Sequence, residues 1–405
     1  MKATIWIVIV LLPFFNFFIA PNISFADVGI LIGCSSLSFQ NKKSIFIFNS
    51  VKNHQKLIYL LIWILFSSFL FVFDTTNNHI KYLTIVTSHL RFFMILYLFF
   101  NLKFIFKKNY LLNYLIRVWV YVIYFICFLA FVEYFLQFFG IYYSYYFDGI
   151  TTTTSRSPDE SFRISSIFNE PSYLVIYLNF SLLVILEFVN QNIINLKLKL
   201  RRLLIIIFLT TLVAKSMVGI VLALTLILVY KDLILSNLLG KNRIKVYIIF
   251  SLTSGLVFFS NSDRIEEIYE LEDGSANHRV LGAWELTNIM FEGDNFIKGV
   301  GLGQQKNFLI AKSYSLEDHW FMDGVSRNSG INNMFTLILM QTGIVGLFLY
   351  LNFIYATFRR RKGILLFFLI SGFGWAFTFN PLYWFCISIL HIIINGRKKN
   401  LIHLH

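Results

Sequence analysis

The hydrophobic positions of this chain fall in long continuous runs rather than in strict alternation or in narrow helical stripes. Runs of roughly 15 to 25 apolar residues recur from end to end, and each suffices, or nearly so, to cross a hydrocarbon core of about 30 Å as a helix. A backbone inside lipid has no water to bond, so its amides must pair within the segment, and the runs are predicted to be α-helices. Twelve spans follow, at about 4–20, 26–40, 57–74, 82–106, 113–140, 172–190, 203–213, 217–230, 246–260, 331–355, 363–379 and 381–395. The seventh and eighth come from one apolar stretch divided at "AKSMVG", and the last two from another divided at "FNP". The expected fold class is all-α, a polytopic membrane protein of about 12 transmembrane helices with one large external loop.

Composition supports this pattern. Of 405 residues, 57% are hydrophobic and 47 are phenylalanine, against roughly 45–50% apolar in a soluble domain. Net charge is +14, and its distribution argues against a nucleic-acid partner. Positive residues favour cytoplasmic loops. With twelve spans, 24 of the 35 basic residues fall on one side, in segments such as "NKK", "KLKLRR", "RRRK" and "RKK"; ten fall on the other, and Arg91 lies inside a span. Of 21 acids, only Asp232 joins the basic side and 18 lie on or at the edge of the opposite one. Reading either divided stretch as a single span would put "RRRK" or "RKK" outside, so both termini are expected in the cytoplasm. The N-terminal run lacks a clean small-x-small cleavage site and is expected to be an uncleaved span.

The chain then divides into N-terminal membrane helices over 1–260, a large external loop over 261–330 and C-terminal membrane helices over 331–405. A second external segment, 141–170, carries "TTTTSRSPDESFR". Cys34, Cys127 and Cys386 lie far apart in apolar runs, and are expected to be small buried hydrophobes without disulfide or zinc. His278 and His319 lack ligand partners at helical spacing, so no metal site is expected.

Charges in or beside a membrane need a partner or a task. Arg91 stands in the fourth span, Glu133 in the fifth and Glu187 near the cytoplasmic end of the sixth. Arg91 and Glu133 are candidates to pair, and Glu187 is expected to reach the headgroups. The stretch "RISSIFNEPSYLVIYLNF", 163–180, opens the sixth span. Pro171 suits a first helical turn, and Asn169 or Glu170 can cap its free N–H groups. A cap does not call for Arg163 as well. Arginine binds phosphate as a fork, and a carboxylate at a half-dry edge is suited to act as a general base. In the long loop, "NHRVLGAWELTNIMFEGDNFIKGVGLGQQ" holds Arg279 and Trp284; Arg264 precedes it. "GVGLG" lacks the strand–turn–helix context of a dinucleotide site and is expected to be a tight turn. Arg327, Asn332 and Asn333 stand at the outer edge of the tenth span.

The order of four pieces resembles the O-antigen polymerases (Wzy type) of the O-antigen ligase-like group: "RISSIFNEPSYL", "LVAKSMVGIVLAL", "HRVLGAWE…KGVGLGQ" and "INNMFTLILMQTGIVGLFL". The resemblance spans roughly residues 80 to 360 at low identity. It implies a glycosyltransferase of the bacterial inner membrane that joins undecaprenyl-pyrophosphate-linked repeat units on the periplasmic face, without metal, nucleotide or other cofactor. Arg163 and Arg279 would hold the pyrophosphates, and Glu170 would take the proton of the acceptor hydroxyl. Arg91, Arg264, Trp284, Arg327, Asn332 and Asn333 would line the substrate path. The implied partners are lipid-linked glycans, membrane lipid, and a chain-length regulator and flippase of the same pathway. Two alternatives stand beside it. An O-antigen ligase carries histidine before asparagine where this chain has Asn332-Asn333, and generally lacks "NEPS". A polysaccharide flippase would explain the spans and the internal arginine, though not a loop of about 70 residues.

Overall fold

A computed structural model describes residues 2–15, 18–20, 23–40, 55–72, 82–106, 109–141, 164–168, 171–193, 197–239, 274–291, 295–305, 308–309, 333–374 and 380–400. The described residues are helical apart from turns and one short ribbon, in which β1 (Phe18–Ala20) pairs antiparallel with β2 (Ile23–Ser24). Three helices are long and apolar enough to cross a membrane, at Leu111–Phe138, Pro171–Asn190 and Met334–Phe358; five shorter apolar helices accompany them. The chain is thus a helical protein with membrane-spanning character.

Two compact units interleave along the sequence. One comprises Met1–Lys42, Met94–Ser262 and Asn380–His405, and the other Lys43–Phe93 and Asp263–Phe379.

In the first unit, α1 (Lys2–Leu11) packs on α2 (Phe25–Gln40) and α5 (Asn109–Phe138). The expected first span, 4–20, ends early. Pro13 lacks an N–H and cannot continue an α-helix, so a 3₁₀ turn over Leu12–Phe14 follows Leu11 and the chain then turns into β1. At the centre lies α6 (Pro171–Asn190), packed against α5, α7 (Lys197–Val213), α8 (Met217–Val229) and α14 (Pro381–Asn400). From Pro171 to Val189 every residue except Tyr173 is buried. A helix apolar all round belongs in an interior. Its polar groups are accordingly satisfied in place: the Trp119 indole donates to Ser181 Oγ at 3.0 Å, and Asn179 Nδ2 donates to the Gly219 carbonyl at 3.2 Å. The α6–α8 approach is close enough that a Cβ on Gly219 would overlap the Val175 side chain.

This burial corrects the expectation for Glu187. It is 1% exposed, and its carboxylate accepts from Tyr230 Oη at 2.8 Å and from Gln191 Nε2. Enclosed by neighbouring helices, the side chain cannot reach a surface, and a buried carboxylate needs donors. The division at "AKSMVG" matches the structure: α7 ends at Val213, Lys215 takes φ +49°, and α8 begins at Met217. Two segments between the expected spans are helical. "KLKLRR" forms the first turns of α7, and Lys231–Leu239 forms a further helix, α9. The expected ninth span, 246–260, lies outside the described residues.

In the second unit, α3 (Gln55–Val72) packs along α12 (Met334–Phe358), which also contacts α13 (Lys362–Gly374). The α12–α13 contact includes Phe358 stacked on Phe368, with ring centroids 4.7 Å apart. Helices α10 (Gly274–Phe291) and α11 (Asn295–Lys298), from the expected external loop, belong to this unit too. Leu286 and Met290 of α10 share a core with Val300, Phe308, Leu309 and Met340 of α12. The described part of this segment therefore packs on a membrane-length helix. The remaining helix is α4 (Tyr82–Phe106).

Candidate functional site

Of the residues that the sequence singles out, Arg163, Glu170, Arg264, Arg327 and Asn332 lie outside the described residues, as do Asn169 and His319. Two arrangements flank the sequence motifs, one in each unit.

The first is the approach to α6. Residues 164–168 of "RISSIFNEPS" form a turn in which Ser166 adopts φ +54°. A left-handed non-glycine backbone needs support. Support comes from Glu133, 4% exposed on α5. Its Oε2 accepts from the Ser165 N–H at 2.9 Å and the Ser166 N–H at 2.6 Å, and its Oε1 accepts from the Ser165 hydroxyl at 3.3 Å. The Ser166 hydroxyl donates to the Ile126 carbonyl at 2.9 Å. Bonds from two backbone amides to one charged acceptor are strong and directional. Ile164, Ile167 and Phe168 are buried on either side of the clamp, and Phe168 lies against Phe15 and Tyr177 at centroid distances of 5.7 and 5.6 Å. Pro171 then opens α6, as the sequence pattern predicts. The sequence singled out Glu133 as an acid in need of a partner but not the support that it gives this turn. The partners are amides, which leave no mark in a sequence.

The second is the seat of "KGVGLGQ". Gly299, Gly301 and Gly303 take φ of +76°, +80° and +76°, so the tight-turn expectation matches the backbone. The turn lies on a break in α12, where Gly343 has φ 68° and ψ −177°. That region of backbone space is essentially open to glycine alone. A Cβ on Gly343 would overlap the Ile297 carbonyl, and one on Gly299 would come within 2.6 Å of the Gln341 carbonyl carbon and oxygen. The break calls for donors from outside the helix, because buried carbonyls must be paired. All three carbonyls before it find one: Met340 accepts from the Val300 N–H at 2.7 Å, Gln341 from the Ser67 hydroxyl at 3.2 Å, and Thr342 from the Trp63 indole at 2.7 Å. The Ser67 hydroxyl also reaches the Lys298 carbonyl, and Ser68 Oγ accepts from the Leu302 N–H at 3.1 Å. Gln341 is fully buried; its Nε2 donates to Gln305 Oε1 at 2.9 Å.

Other predicted residues take these positions. Arg279 lies in α10. Trp284, on the same helix, is 66% exposed. Asn333 is the N-cap of α12, its Oδ1 accepting from the N–H groups of Phe335 at 3.0 Å and Thr336 at 3.2 Å. Arg91 is half-buried in α4. Cys127 and Cys386 are free and buried, as expected. Among the described residues no group of three His, Cys, Asp or Glu side chains is arranged to hold a metal. Ser67, Ser68, Trp63 and Gly343 were not singled out by sequence; the one available signal was a serine pair inside an apolar run.

No protein-family model matches the chain, and no curated protein matches it.

Proposed function

We propose that this protein polymerises undecaprenyl-pyrophosphate-linked oligosaccharide repeat units on the periplasmic face of the bacterial inner membrane. The reading uses about twelve spans, both termini in the cytoplasm and the 261–330 segment outside. The observation that supports it best is the Glu133 clamp. It fixes Ser165 and Ser166, two and three residues after Arg163 and within five of Glu170, at the head of a fully enclosed helix. A membrane-edge turn anchored so firmly suits a site whose flanking side chains must be held in register.

In this reading an acceptor-sugar hydroxyl attacks the anomeric carbon of the polymer. A new glycosidic C–O bond forms as the bond to the lipid pyrophosphate breaks. Glu170 takes the hydroxyl proton, and the leaving pyrophosphate carries the electron pair, balanced by Arg163 and Arg279. Arginine suits the task because it keeps its charge and binds two phosphate oxygens at once. Cations count most where water is scarce.

The test is polymerisation of purified lipid-linked repeat units at matched protein levels. Glu170→Gln is expected to lower the rate by roughly 10²- to 10⁴-fold, because an amide takes no proton. Arg163→Ala is expected to abolish long chains, with partial recovery for Arg163→Lys. A near-normal rate in Glu170→Gln removes the base assignment. Disruption in cells separates the classes: core bearing one repeat unit supports a polymerase, bare core a ligase, and no surface repeats a flippase.

A further inference from the structure

The first unit has a pocket of about 260 Å³ between α5 and α7, lined by Arg117, Val120, Tyr121, Tyr124, Lys199 and Arg202. Three cations from two helices converge on it. Among the described residues none of the three is paired with a carboxylate. The Tyr124 hydroxyl reaches toward the Lys199 carbonyl at 3.4 Å across the same gap. Cations gathered around one cavity repel each other, and an anion placed among them relieves that repulsion.

The surroundings indicate which anion. Tyr121 also lines a second, apolar groove of about 330 Å³, with Trp6, Val10, Phe14 and Phe125 among its walls. Along α5 the exposed residues continue as Tyr121, Phe125, Phe128 and Phe135, each more than half exposed. On α7, Ile205 and Leu209 are exposed beside them. Charge thus sits at one end of an apolar surface running along the helix axes. A free phosphate would use only the charged end, whereas a lipid uses both.

We infer that unit one binds an anionic phospholipid, its headgroup phosphate among Arg117, Lys199 and Arg202 and an acyl chain along the Tyr121–Phe125 groove. By the charge asymmetry of the chain this is the cytoplasmic leaflet. Basic pockets between spanning helices on that side suit anionic headgroups. A zwitterionic lipid fits less well, because its ammonium would enter a cationic pocket. The headgroup pocket shares no residue with the "RISSIFNEPS" turn, though Ile167 of that turn is among the walls of the groove, and the inference stands without the proposed polymerase reading.

The test uses the full chain in detergent and native mass spectrometry with three probes: phosphatidylglycerol, phosphatidylcholine of the same acyl chains, and inorganic phosphate. Phosphatidylglycerol is expected to bind at least about tenfold more strongly than phosphatidylcholine. The triple variant Arg117→Gln, Lys199→Gln, Arg202→Gln is expected to bind it about 10²-fold more weakly, from three lost headgroup contacts. Arg359→Gln with Arg360→Gln, which removes exposed cations of the other unit, is expected to bind it as wild type does. Equal binding of the two lipids, an unaffected triple variant, or inorganic phosphate displacing the lipid would each overturn the inference. Should the triple variant not fold, photoactivatable phosphatidylglycerol on the wild-type chain decides the matter. Label in peptides covering 114–128 and 199–209 supports the site, and label confined elsewhere removes it.

Discussion

The turn before α6 and the turn on α12 both hold an irregular backbone in a buried place, by opposite means. The first takes its backbone bonds from a side chain: one carboxylate, Glu133, receives two amides. The second spreads them over three donors on two other segments: the carbonyls freed at Gly343 receive the Val300 N–H, the Ser67 hydroxyl and the Trp63 indole. A side-chain clamp depends on charge and hydrogen bonding at one residue. A backbone seat depends on the absence of a side chain at two glycines. The same chemical task, satisfying buried peptide groups, therefore fails in different ways when disturbed.

The largest effect is expected at the seat. Gly343→Val places a branched side chain at φ 68°, ψ −177°, against the Ile297 carbonyl. Backbone strain of about 1–3 kcal/mol adds to an overlap of the new Cβ with the Ile297 main chain, which cannot give way as a flexible side chain would. Loss of most folded protein is expected, read as the thermal midpoint of the detergent-solubilised chain by size exclusion. A midpoint near wild type would show that the seat is not steric.

A smaller and chemically graded effect is expected at the clamp. Glu133→Ala leaves the Ser165 and Ser166 amides without their acceptor, at about 1–3 kcal/mol for each buried donor. Glu133→Gln keeps one acceptor oxygen and should lose less. Protease cleavage within 141–168 should rise in the order wild type, Gln, Ala. Equal cleavage in Gln and Ala would mean that charge alone holds the turn. Gly343 variants should leave the Gln–Ala ordering unchanged if the two devices are independent.

The smallest effect concerns helix starts. Asn333→Ala removes the acceptor for Phe335 and Thr336, at about 0.5–2 kcal/mol, while Asn333→Asp keeps it and should be nearly neutral in thermal midpoint. If Asn333→Asp instead stops the proposed glycan polymerisation at unchanged stability, Asn333 acts on substrate as well as on the helix.

What was legible in sequence was whatever is written in consecutive residues. Among the described residues most long apolar runs gave helices near the expected places, because a run of that length has one way to satisfy its backbone in lipid. Pro171 marked the start of α6 and the "AKSMVG" break marked the α7–α8 corner for the same local reasons. The glycine-rich turn was readable from glycine spacing. Less was readable where local signals competed: Pro13 ended α1 before its apolar run did, and "KLKLRR" joined a helix because lysine, leucine and arginine are good helix formers.

Tertiary structure alone decided the partners. Glu133 binds two amides that any sequence would contain. Glu187 stood near the end of a span, yet α6 is enclosed, so its carboxylate turns to Tyr230 and Gln191 rather than outward. Gly343 looks like any span glycine until the "GVGLG" turn is laid on it. A sequence specifies which groups must be satisfied, because burial in lipid or core makes each unpaired one costly. Which group satisfies them depends on elements far apart in the chain, Ser67 with Gln341 or Glu133 with Ser166, and packing alone brings those together.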